Sequence, residues 1–183
     1  MKNKIEILVS PEISLKEIGF KDISKLQKLM FEIYPPVYAH LWPDDGEMYL
    51  KKIYAEENIK KELKEQNSNY YFILNKTIEV GILRVLTNEP IEKLKKEYAI
   101  KLQRIYLNPS IQRKGFGEKI IRWIETTFCK KEHSYLWLEA MDSQEKAIQF
   151  YSKMGFKVAG SFKLESDLMF ERFRGMVRMI KPL

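Results

Sequence analysis

Apolar positions along the chain change period several times, and each change predicts a new element. Between Glu12 and Ile18, Ile13, Leu15 and Ile18 alternate with Ser14, Lys16 and Glu17, the period of a strand. From Asp22 the spacing turns helical, with Ile23, Leu26, Leu29 and Met30 on one face and Asp22 placed to cap. Tyr34-Pro35-Pro36 should end that helix, because proline lacks the amide and restricts the residue before it. A second helical stretch runs from Gly46 to Leu63, with a break expected near Glu56–Asn58. Tyr70–Leu74 and Val80–Leu86 are β-rich and flank Asn75-Lys76-Thr77, which predicts a hairpin.

The second half is patterned more sharply. Tyr98–Leu107 is a strand candidate stopped by Asn108-Pro109-Ser110. A helix after Gly115 carries Ile120, Ile121, Ile124 and Phe128 on one face. Tyr135-Leu136-Trp137-Leu138 is continuously apolar, as in a strand covered on both sides. The next helix puts Ala147, Phe150, Tyr151 and Met154 on one face and ends at Gly155. Phe156–Leu164 and Arg172–Ile180 are the last strands, giving the order β-α-α-β-β-β-α-β-α-β-β, a mixed α/β sheet.

Composition narrows the class. With 183 residues, 45% hydrophobic and 31% charged, the chain reads as one globular domain over 1–183. No apolar run approaches the ~18 residues of a membrane span, and the first ten residues do not read as a secretory signal. Cys129 is the only cysteine, so no internal disulfide can form, and a reducing cytoplasm is the simplest setting. The net charge of +7 suits an anionic partner. The cations are spread in short pairs such as Lys51-Lys52, Lys95-Lys96 and Lys130-Lys131, a solvated surface rather than a nucleic-acid stripe. His40 and His133 stand apart from other ligand types, so no metal is expected. Cys129 has no histidine beside it in sequence and lies off the apolar stripe of its helix, which argues against a thiol nucleophile.

Chemistry concentrates at Gln112-Arg113-Lys114-Gly115-Phe116-Gly117, between a strand and an amphipathic helix. Glycines there let backbone amides turn toward an anion, the helix N-terminus adds positive potential, and Arg113, Lys114 and Lys119 would add charge-assisted bonds to phosphate. The loop lacks the Gly-Lys-Ser/Thr of a Walker loop and the third glycine of a dinucleotide fingerprint. A structural turn would use the same glycines.

Two motifs in the right order decide further. Ile105-Tyr106-Leu107-Asn108-Pro109 followed by Gln112–Gly117 resembles the cofactor strand and Gln/Arg-x-x-Gly-x-Gly/Ala loop of the GNAT superfamily of acetyl-CoA-dependent N-acetyltransferases. About 30 residues on, Ala147–Phe156 resembles that family's Ala-x-x-Phe-Tyr-x-x-x-Gly-Phe segment. The resemblance implies a GNAT-like fold, a mixed, mostly antiparallel sheet flanked by helices, with the cofactor core at about 98–156. It implies acetyl transfer from acetyl-CoA to an amine without a metal. Ile105, Tyr106 and Leu107 would hold the pantetheine arm, and Arg113, Lys114, Gly115, Phe116, Gly117 and Glu118 the pyrophosphate. Gln144 stands where the family usually has an asparagine bonding the pantetheine, seven residues before the tyrosine.

Tyr151 would be the acid that protonates the departing thiolate; on the residues alone it also fits a core tyrosine. Glu139, in an apolar run, is either a general base whose pKa burial raises or an outward strand-end glutamate. Some relatives that acetylate protein N-termini carry a glutamate there, and others use water. Gln103 stands where several members carry an acid but is neutral. The family's acceptor pocket is lined partly by the segment between the first two helices, here Tyr34–Glu47. Tyr34, Tyr38 and Trp42 with Asp45 could cage a cationic amine, or the segment could simply cap the next helix. Asn58–Leu63 followed by Tyr70-Tyr71-Phe72 resembles bacterial polyamine acetyltransferases. The expected acceptor is therefore a small amine, a polyamine among the candidates. A protein N-terminus or lysine is the enzymatic alternative, and a non-catalytic CoA- or RNA-binding module the alternative of another class. Family members often pair, which would make a homodimer.

Overall fold

A computed structural model describes residues 6–91, 98–128 and 134–183, so Cys129, His133 and the pairs Lys95-Lys96 and Lys130-Lys131 lie outside the described residues. The strands are β1 (Glu6–Ser10), β2 (Ile13–Glu17), β3 (Ser68–Asn75), β4 (Ile78–Thr87), β5 (Ala99–Leu107), β6 (Tyr135–Met141), β7 (Lys157–Lys163) and β8 (Gly175–Pro182). The helices are α1 (Ile23–Ile33), α2 (Pro35–Tyr38), α3 (Glu47–Ile53), α4 (Glu56–Lys64), α5 (Phe116–Phe128) and α6 (Glu145–Lys153). One sheet runs in the order β1-β2-β3-β4-β5-β6-β8-β7. Its neighbours are antiparallel except β5 and β6, which are parallel.

The strand at Glu6–Ser10 was not expected, since its polar–apolar pattern is short and its residues are at most half-buried at the sheet edge. The long second helix is broken at Tyr54-Ala55, two residues before the expected site. Tyr34-Pro35-Pro36 ends α1 as expected, and Pro35 and Pro36 then open the short α2, where amides need no partner.

Two apolar layers cover the sheet. Ile120, Ile121 and Ile124 of α5 pack with Leu83, Leu102, Leu136 and Leu138 on one face. Leu26, Met30, Leu50 and Ile59 of α1, α3 and α4 pack with Phe72 and Ile82 on the other. β6 is buried from both sides, as its unbroken apolar run required: Leu136 faces the α5 layer and Trp137 packs with Ala99 and Tyr135 opposite.

Candidate active site

The sheet opens where β5 and β6 stop pairing. Their parallel ladder runs only from Ala99↔Tyr135 to Leu102↔Leu138. At the same level, β5 carries a bulge: Leu102 pairs Val85 and Arg104 pairs Arg84, leaving Gln103 as the extra residue. A bulge bends its strand and strengthens the local twist, so β5 swings away from β6 beyond this point. Asn108 N donates to Val80 O at 2.8 Å, which turns Asn108, and by the alternation of the ladder Tyr106, toward β4. Ile105 and Leu107 therefore turn their backbone groups into the gap.

That gap is a cleft of about 870 Å³. Ile105, Tyr106 and Leu107 form one wall, and Gln144, Ala147, Phe150 and Tyr151 at the start and middle of α6 form the other. Ile33, Pro36, Val37 and Tyr38 of α1 and α2 also line it, as do Arg113, Gly115, Phe116, Gly117 and Glu118 of the loop and the start of α5. The predicted cofactor residues thus come together in one cavity, apart from Lys114, which is exposed and not part of its wall. Pro36, Val37 and Tyr38 belong to the Tyr34–Glu47 segment expected to line the acceptor pocket, whereas Ile33 of α1 was missed, because its apolar character reads as core.

The loop into α5 is shaped by two left-handed residues, Arg113 at φ 61° and Gly115 at φ 79°. A Cβ on Gly115 would meet nothing within 4 Å, so glycine is suited there by its backbone angle, not by lack of room. Asn108 Oδ1 accepts from Ser110 N at 2.9 Å, and Gln112 Nε2 donates to Leu107 O at 3.3 Å, tying the loop to β5. α5 starts at Phe116 on the cleft wall, and the first amides of a helix have no partner inside it. Those amides, the positive helix end and Arg113 fit an anion, while the free edge of β5 fits an extended amide-bearing arm. Lys119, expected beside the phosphates, instead pairs with Glu12 at 3.1 Å.

Tyr151 is half-buried between Phe150 and Phe156, with ring centroids at 5.3 and 5.7 Å. Burial, and then the neighbouring Tyr38, push its phenol well above the usual tyrosine value, so it stays protonated. Glu139 differs from expectation. Burial does push its carboxyl up, but hydrogen bonds from Arg178 and Lys101 outweigh that and hold it below the ordinary carboxylate value. Arg178 Nη2 and Nε donate to Oε1 at 2.7 and 3.2 Å, and Lys101 Nζ donates to Oε2 at 2.9 Å. Glu139 is not part of the cleft wall.

The expected aromatic cage is mostly core. Tyr34 stacks on Tyr38 at 4.7 Å and on Tyr49 at 5.1 Å. Trp42 stacks on Tyr49 at 4.5 Å and donates Nε1–H to Tyr34 Oη at 3.1 Å. Tyr34 and Trp42 are 2% and 4% exposed, and neither reaches the cleft. Asp44 caps α3, accepting from Gly46 N and Met48 N at 3.1 and 2.7 Å, while Asp45 is exposed outside the cleft wall. Of the four expected substrate residues only Tyr38 lines the cavity; burial, then Tyr49, pushes its pKa up to about 12. In the polyamine-like segment, Ile59 is core and Glu62 is bonded to arginine.

The model of the acetyltransferase (GNAT) family matches residues 26–156. An N-acetyltransferase of uncharacterised role in the pepI 3′ region of Lactobacillus delbrueckii subsp. lactis is 22% identical over 144 residues, covering 78% of this chain and 83% of its own. The PaiA N-acetyltransferase from Thermoplasma acidophilum, solved with coenzyme A, superposes with a TM-score of 0.69 at 18% identity, over 93% of this chain and 99% of its own. RimL, a ribosomal L7/L12 α-N-protein acetyltransferase solved with coenzyme A, gives 0.70 at 13% identity, over 98% of each chain. A chimera of the Vibrio cholerae spermidine N-acetyltransferase SpeG with hSSAT gives 0.65 at 18% identity, over 93% of this chain and 95% of its own. With a family model that spans the sheet opening, the glycine loop and α6, the chain belongs to the GNAT family of acetyltransferases.

Proposed function

We propose that this acetyltransferase moves the acetyl group of acetyl-CoA to a primary amine of a small molecule in the cleft between β5 and α6. The observation that carries this is the joining, in one cavity, of the open Ile105–Leu107 edge, the first turn of α5 and the protonated Tyr151. Bound acetyl-CoA supplies a thioester, an acyl group activated toward amines. Ile105 and Leu107 hold the arm by their backbone groups, and the Arg113–Glu118 turn holds the phosphates. Gln144, at the head of α6, adds an amide side chain to the same wall. Tyr151, protonated before reaction, gives its proton to the sulfur as the carbon–sulfur bond breaks, so CoA leaves as the thiol, and the phenol regains a proton from solvent. The amine attacks as the free base and gives its proton to water, since Glu139 is committed to Arg178 and Lys101.

The acceptor end is lined by Tyr38, Tyr106, Val37 and Ile33. Aromatic faces attract an ammonium group, and apolar neighbours favour its neutral, nucleophilic form. A peptide α-amine is the second reading, supported by the full-length likeness to the ribosomal-protein acetyltransferase. Both are tested by one assay: acetyl-CoA with spermidine, simple alkyl and arylalkyl amines, and short peptides with free N-termini, read as released thiol. The expected result is faster turnover of a small amine than of any peptide. Turnover of peptides alone selects the second reading, and CoA binding without turnover on any acceptor overturns both.

A further inference from the structure

Arg84 on β4 and Arg104 on β5 are direct partners across the ladder, on the first rung past the bulge at Gln103. Like charges facing each other across a ladder destabilise it, and these are almost out of water, with side chains 5% and 11% exposed. One carboxylate from another layer joins them. Glu62 of α4 places Oε1 3.0 Å from Arg84 Nη1 and accepts from Arg104 Nη1 at Oε2, 2.7 Å away. The far side of Arg84 is taken by Glu65 and by Ser68 Oγ, to which Nε donates at 3.1 Å. The guanidinium of Arg104 lies over the ring of Tyr54 at 5.5 Å and that of Arg84 over Tyr70 at 5.8 Å. The bridged rung is thus held from α4, from the sheet and from two aromatic faces.

Its position gives the bridge a consequence beyond stability. The bulge interrupts the backbone ladder just before Arg104, and pairing with β6 has already ended at Leu102. The next residue, Ile105, is the first to turn its backbone groups into the cleft. We propose that Glu62 is a positioning residue for acetyl-CoA: by tying Arg104 to Arg84 at the bulge, it fixes the direction in which Ile105 and Leu107 present their amides to the pantetheine arm. This rests on the cofactor reading of the cleft. A carboxylate in α4 acts on the cofactor without touching it.

The test uses two ligands that share one end. Coenzyme A reaches both the phosphate turn and the β5 edge; adenosine 3′,5′-bisphosphate keeps the nucleotide, its 3′-phosphate and the first phosphate of the pyrophosphate but has no arm. Calorimetric titration of each into the wild-type chain and into Glu62→Gln, with thermal melting alongside, separates positioning from stability. Positioning predicts that CoA affinity falls about tenfold, or ~1.4 kcal/mol, roughly the worth of one hydrogen bond, while bisphosphate affinity stays within about twofold. The KM for acetyl-CoA should rise with it, and the KM for the amine should not. If Glu62→Gln does not fold, Glu62→Leu/Arg104→Met removes both charges of the pair, leaves Arg84 to Glu65, and is judged by the same ratio. Equal losses for both ligands, or no loss for CoA in a folded variant, overturn the proposal. Failure of CoA to bind the wild-type chain overturns the cofactor reading beneath it.

Discussion

Gly117, in the first turn of α5, lies against the ring of Phe150 on α6: a Cβ built on it would stand 3.1 Å from Cζ. The two helices that bound the cleft therefore meet at a residue without a side chain, and the first amides of α5 stay open to the cavity. Gly117→Asp would press a carboxylate toward Phe150 and the anion site together. Its affinity for CoA should fall at least a hundredfold, read by calorimetry. Gly117→Ala asks the ring to give by only a few tenths of an ångström and should cost less than tenfold. Lys114→Ala, outside the cleft wall, should change affinity little. Unchanged affinity in a folded Gly117→Asp would remove the anion site from this turn.

Glu139 links β6 to Lys101 on β5 and Arg178 on β8, and both cations also lie over Trp137, at 4.2 and 5.5 Å. Glu139→Gln should lower stability at pH 7 by about 1–3 kcal/mol, the cost of leaving charged partners unpaired. At this chain length that is roughly 2–4 °C in Tm per kcal/mol. Because the folded-state pKa lies below the unfolded one, the carboxylate's contribution is full above the unfolded value, roughly 4.3, and is lost as pH falls through the folded value. The gap in Tm between wild type and variant should therefore narrow below about pH 4. Turnover per folded molecule and its pH profile should be unchanged; loss of the lower limb of that profile would restore Glu139 as the base.

Tyr151→Phe removes the hydroxyl and keeps the ring between Phe150 and Phe156. Turnover should fall roughly 10²- to 10⁴-fold, the range for one positioned acid, with CoA affinity and Tm close to wild type. A lowered Tm with near-normal turnover of the folded fraction would make it a core tyrosine.

What the sequence made legible was local. The Gln112–Gly117 turn, the stripe of α5 and the strands around them follow from neighbours within a few positions, and the structure keeps them close to their expected bounds. What it hid depends on partners far along the chain. Burial of Glu139 was foreseeable from Leu136-Trp137-Leu138, but the cations that reverse its pKa lie 38 and 39 residues away. Arg84 and Arg104 lie 20 positions apart, and only the ladder register sets them face to face beneath Glu62. Trp42 and Asp45 sit three residues apart, yet one is core and the other exposed, because the loop turns through left-handed angles at Asp45 and Gly46.

Tyr38 and Trp42 were expected to share one task, and the structure separates them. Tyr38 lies edge-on to Tyr106 at 5.6 Å, lines the cleft, and is the neighbour whose ring adds to the shift of Tyr151. Trp42 is buried under Tyr49 and bonded to Tyr34, away from the cavity. Tyr38→Ala should raise the KM for the amine, about tenfold if one aromatic face on the acceptor is lost, while CoA affinity holds and Tm falls modestly, since Tyr38 also stacks on Tyr34. Trp42→Ala should cost roughly 3–5 kcal/mol of stability, as for other buried aromatics, and leave the amine KM of the folded fraction near wild type. Steady-state kinetics below the melting transition, paired with thermal melts, read both variants together. Equal changes in amine KM would mean that the whole aromatic segment forms the acceptor site; no change in Tyr38→Ala would move that site to another wall of the cleft.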